Sequence, residues 1–194
     1  MRRSISRGVL VPVVAGSVAL VLALVLAYVT IRDIRGSEPV PAAAGTGQMP
    51  THRMVSKKGG FAVAVPDDLT AEHAGTAVRM VSASKDLVVV AAPAGDGPLP
   101  RAEKRVLKRM DRDYPEVSVL GREQVEVDGH PGQTVFGRAV NDAGARLRFA
   151  VTTVHADGSN FTLAAYTAFG ADPAEVLPRV NAIANGFEVL TRGR

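Results

Sequence analysis

The 194-residue sequence has no cysteine and no tryptophan, and aromatic residues make up only 5% of it. The missing cysteine excludes disulfides, thiolate metal sites, a cysteine nucleophile and a lipid-modified N-terminal cysteine, so packing alone must hold the fold. The eight aromatics scattered from Phe61 to Phe187 are expected in the core, since nothing gathers them into a stacking platform for bases or sugars. Recognisable catalytic signatures are missing too: there is no G-x-S-x-G elbow, H-E-x-x-H helix, P-loop or G-x-G-x-x-G turn. No enzyme activity and no metal or cofactor is expected. A charge excess vanishes on inspection. The formal charge is +4, but Arg2, Arg3, Arg7, Arg32 and Arg35 precede Gly36 with only Asp33 against them, which leaves eighteen basic and eighteen acidic residues beyond it. A neutral body offers no field to gather phosphates, so no nucleic-acid partner is expected.

One long hydrophobic run is present. Residues 8–31 carry no charge and are dense in Val, Leu and Ala. As a helix they would cover about 36 Å, against a hydrocarbon core of about 30 Å. Pro12 falls in the first turns and Tyr28 near the far end, where an amphipathic ring suits the interface. A cleaved signal peptide is the competing reading. Its apolar region would be shorter, about 7–15 residues, and the only A-x-A candidate, Ala42-Ala43-Ala44, lies well beyond the run. The basic residues before the run favour a cytoplasmic N-terminus. The division expected is therefore 1–7 cytoplasmic, 8–31 transmembrane helix, 32–55 extracytoplasmic linker and 56–194 folded domain. The linker, rich in Pro, Gly and Ala, has a reach of roughly 25 Å and keeps the domain near the outer face of the cell membrane.

Within the domain, Phe61-Ala-Val-Ala-Val65 is apolar at every position and stops at Pro66-Asp67-Asp68, which predicts a buried strand and a turn. Residues 77–82 and 87–92 predict a hairpin. Residues 117–127, 133–140, 145–155 and 161–168 predict further strands, joined by turns rich in Asp, Asn and Gly. Leu99, Val106, Leu107, Met110 and Tyr114 recur at helical spacing. Asp172-Pro173, with Glu175 behind, opens a second helix that Asn185-Gly186 closes. Pro178 predicts a kink or a late start there, and residues 187–190 a short last strand. The class is α+β, an antiparallel sheet of about six to seven strands packed with two helices.

Three segments carry a resemblance: Gly60-Phe-Ala-Val-Ala-Val-Pro66, Val125-Glu-Val-Asp-Gly-His-Pro-Gly132, and the last helix running into Asn185-Gly-Phe187. Over roughly residues 56–190 the chain resembles the PsbP-like, or Mog-type, α/β/α sandwich family, which includes membrane-anchored envelope proteins of actinobacteria. The resemblance implies a non-catalytic binding or accessory module, and none of its motifs is catalytic.

The candidate site is the polar face of the first helix, Arg101, Lys104, Arg105, Lys108, Arg109 and Arg112. Near anionic lipid it would dock to headgroups, or it would meet an acidic envelope protein; otherwise it is a solvated face. Two weaker alternatives remain. A lipid or small-ligand carrier would need a cavity between sheet and helix. A hydrolase would need His130 with Asp128, or His155 with Asp157, brought together by their turns, with His52 and His73 left in a linker and a polar loop.

Overall fold

The computed structural model describes residues 49–190. The proposed cytoplasmic segment, the proposed transmembrane helix and most of the proposed linker lie outside the described residues. No helix among the described residues is long and apolar enough to cross a membrane.

In chain order the elements are β1 (Thr51–Ser56), β2 (Phe61–Pro66), β3 (Leu69–Ala74), β4 (Ala77–Ser82), β5 (Leu87–Asp96), α1 (Leu99–Asp113), β6 (Glu116–Val127), β7 (His130–Val140), β8 (Arg146–Ala156), β9 (Ser159–Ala168), α2 (Pro173–Asn185) and β10 (Glu188–Val189). They form a seven-stranded antiparallel sheet ordered β3-β4-β5-β9-β8-β7-β6 and a three-stranded one ordered β1-β2-β10.

Two differences from the expectation concern strands. The opening strand, β2, belongs to the smaller sheet and is central in it. Its continuous apolar run reflects cover on both faces, and every residue except Ala64 is buried. The two outer strands of that sheet are β1, which starts at Thr51 inside the stretch expected as linker, and the two-residue β10. The second difference is β3, expected as loop. Gly75 takes φ 67°, which lets the chain reverse in two residues and pair Ala74 with Ala77. His52 and His73 therefore sit on exposed strand positions rather than in a linker and a loop.

The large hairpins follow the turn chemistry. Asp128-Gly129 and Asp157-Gly158 have positive φ at both positions and form two-residue turns, so β7 begins at His130 and not after Gly132. The Asp172 carboxylate accepts from Ala174 N–H at 2.9 Å to cap α2. That helix starts on time and runs through Pro178 to Asn185, with Arg179 Nη1 donating to the Glu175 carbonyl at 3.1 Å.

The seven-stranded sheet is covered on both faces. On one side it packs with β2 and α2 around Phe61, Met80, Val89, Leu163, Val180 and Ile183. On the other, Met110 of α1 packs with Val135, Phe149, Val151 and Ala164, flanked by Val106, Leu107 and Tyr114.

Candidate functional site

α1 begins at Leu99 with Pro100 in its first turn and buries Ala102 and Met110 against the sheet. The opposite face is the basic one. Arg101, Lys104, Arg105, Lys108, Arg109 and Arg112 are all exposed. Two have intramolecular partners. Arg105 Nη2 donates to the Ala94 and Asp96 carbonyls at 2.8 and 3.0 Å, and Arg112 Nε meets Asp113 at 2.9 Å. Glu103 is turned to Arg122 of β6 at 2.8 Å and so does not neutralise its own helix. Among the described residues, Arg101, Lys104, Lys108 and Arg109 form no salt bridge.

This distribution is unfavourable for the helix itself. Arg101/Arg105, Lys104/Lys108, Arg105/Arg109 and Lys108/Arg112 are like-charge pairs at i, i+4, each destabilising by about 0.2–0.5 kcal/mol. No acid stands in the first turn, where the macrodipole would favour one, and Arg101 stands there instead. Charge is also segregated over the molecule. α1 carries six basic against three acidic residues, whereas the rest of residues 36–194 carries twelve against fifteen.

The histidine and carboxylate candidates are used elsewhere. The turns of His130 and His155 come to the same end of the sheet, but Gly132 pairs with Val154, which puts His130 and His155 on opposite faces. His155 Nδ1 is 3.0 Å from Asn160 Oδ1, and Asp128 Oδ2 accepts from Val189 N–H at 3.3 Å. Asp67 meets His52 at 3.0 Å and Asp68 meets Arg179 at 2.7 Å, so both turn carboxylates have protein partners. No group of three or more His, Asp or Glu among the described residues is placed to hold a metal ion.

A cationic cluster absent from the sequence reading stands at the other end of the sheet. A cavity of about 350 Å³ there is lined by Glu116, Ser118, Arg138, Arg146 and Phe169, among others. The Arg138 and Arg148 guanidinium carbons lie 5.8 and 4.6 Å from the Phe169 ring centre. The only signal for it was the β7–β8 register, which pairs Arg138 with Arg148 and cannot be read from either strand alone. Under α1, Tyr114 and Tyr166 stack with ring centres 5.7 Å apart; burial raises the pKa of both phenols above the ordinary value, and by far the more for Tyr166.

The three segments behind the resemblance converge. Phe61 and Phe187 stack at 5.6 Å, both close to Phe161. Leu190 N–H donates to the Gly60 carbonyl at 3.0 Å, and Ala64 N–H to the Gly186 carbonyl at 2.9 Å. Val189 closes on Asp128 of the β6–β7 turn, so the three segments together lock β2, α2 and the central sheet. The chain has the PsbP/Mog-like fold. Cyanobacterial PsbP (CyanoP) from Synechocystis is similar at 16% identity and TM-score 0.55, over 78% of this chain and 99% of that one. The Ran-binding protein Mog1p from Saccharomyces cerevisiae is similar at 11% identity and TM-score 0.54, over 73% and 96%. LpqN of Mycobacterium tuberculosis is similar at 17% identity and TM-score 0.51, over 84% and 95%. No family model and no curated protein matches the sequence. In the PsbP/Mog-like fold as this chain builds it, the shared segments serve packing, and the basic face of α1 lies outside them.

Proposed function

We propose that the chain is a membrane-anchored extracytoplasmic accessory module, single-pass with its N-terminus in the cytoplasm, acting through protein–protein or envelope-surface contacts rather than catalysis. The observation that carries this reading is the outer face of α1, where cations stand exposed at a cost to the helix while the rest of residues 36–194 is net acidic. Two fold neighbours support it: Mog1p is a Ran-binding protein, and LpqN is involved in cell envelope biogenesis. The uncharged run of residues 8–31 supports the anchor. A carrier would need room between sheet and helix, and on the α2 side that space is filled by Phe61, Phe161 and Phe187.

The anchor is tested by washing membranes of the source cells with alkaline carbonate and then treating intact, wall-stripped cells with protease. The reading expects the chain to stay in the washed membrane and its domain to be digested from outside. Release by carbonate, or protection from external protease, overturns it.

A further inference from the structure

We propose that the outer face of α1, with the valines beside it, docks onto an acidic protein on the side of the domain turned away from the bilayer. This rests on the membrane-tethered reading above and names the partner of the same face. Charge is the first support. Arg101, Lys104, Lys108 and Arg109 form no salt bridge among the described residues, and an acidic surface laid across α1 would relieve its like-charge spacing.

The second support is the character of the surface next to α1. Val81, Val88 and Val90 lie on α1's side of the seven-stranded sheet, Val88 pairing with Val81 and Tyr166, and Val90 with Arg79 and Ala164. All three are only half-buried. An apolar floor with a cationic wall suits a protein interface, whose centre is apolar and whose rim is polar.

Direction is the third. The chain joins the domain at β1, in the layer of the three-stranded sheet and α2, and α1 packs on the opposite face of the seven-stranded sheet. With packed layers spaced about 10 Å apart, α1 stands roughly 20 Å beyond the layer that receives the tether. A headgroup field decays within a Debye length of about 8 Å at physiological salt. With the tether entering at β1, the outer face of α1 is the one farthest from the point of attachment.

The test places a photocrosslinking residue at position 108 or 88 of the full chain, or at position 57 on the tether side, in the cells that make the protein. Products are identified by mass spectrometry. Positions 108 and 88 are expected to capture the same acidic protein, position 57 not to capture it, and K104E/K108E/R109E to reduce the yield at position 88 about tenfold. Far-ultraviolet circular dichroism of the triple variant checks its fold, and a second variant, K57E/K58E, is expected to keep the wild-type yield. Lipid adducts at position 108, no product at 108 and 88, or a product that survives the charge reversal would each overturn the proposal. Capture at position 57 alone would overturn it while leaving the accessory-module reading standing.

Discussion

Asn160 is fully buried and places both ends of its amide on named partners. Its Nδ2 donates to the Gly95 and Gly97 carbonyls at 2.8 and 2.9 Å, while Arg105 holds the alternate carbonyls of Ala94 and Asp96. The chain entering α1 is thus gripped from both sides. Asn160→Asp would set a carboxylate against two carbonyl oxygens, and we expect a loss of about 2–4 kcal/mol in urea unfolding at neutral pH. Such a carboxyl has its folded pKa raised, so the variant should recover stability as the pH falls and the group protonates. Asp86 shows the opposite sign. Hydrogen bonds from Ser82, 2.6 Å away, and then from Ser84 hold its carboxyl below the usual range. Its contribution to stability is present above the ordinary carboxylate pKa of about 3.9 and is lost as the pH falls through the folded value. In Ser82→Ala an NMR titration of Asp86 should move upward, and the buried Leu87 N–H, now 3.0 Å from Ser82 Oγ, should lose its side-chain partner at a cost of about 1–3 kcal/mol. Neither network stands out in the sequence. Asn160 there is one turn residue in Asp157-Gly-Ser-Asn160, and its task is set by a loop 63 residues away that only the β5–β9 pairing delivers.

At the scale of elements, both helices, the β4–β5 hairpin and the long strands after α1 were readable, because the period of 3.6, the Asp-Gly turns and the Asp172-Pro173 cap are local signals. β3 was not. Its burial falls from Leu69 to exposed Glu72, His73 and Ala74, so it shows no clean alternation and owes its structure to pairing with β4. The division into two sheets was likewise hidden, since a strand covered on both faces looks alike in either sheet. Gly137 shows a similar dependence on a neighbour. A Cβ there would meet the Ser118 carbonyl and come within 2.8 Å of Phe149 Cζ, so Gly137→Ala should cost at least about 2 kcal/mol in thermal or urea unfolding. α1 gives a prediction of the other sign. Lys104→Glu removes a like-charge pair with Lys108 and creates a favourable one, so the helix should gain a few tenths of a kcal/mol while partner binding falls. A face shaped only by solvation would show the stability gain with no loss of binding.

Across the whole molecule, two cores lie on the two faces of one sheet. Outside α1, residues 36–194 are acidic on balance, and the surplus cations stand on α1. The candidate face was readable as six basic residues at helical spacing, but its direction relative to the tether required the layer order, which no local pattern encodes. The five lysines report on that direction. Lys104 and Lys108 lie on α1, Lys57 and Lys58 in the turn between β1 and β2, and Lys85 in the β4–β5 turn, all exposed. The most direct measurement is therefore the acetylation rate of each lysine by mass spectrometry, compared between native membranes of the source cells and the purified full chain. Shielding of Lys104 and Lys108 by about fivefold or more in native membranes, with Lys57, Lys58 and Lys85 unchanged, is the predicted result for a partner seated on α1. Equal reactivity of all five lysines, or shielding of Lys57 and Lys58 with Lys104 and Lys108 left open, would contradict it.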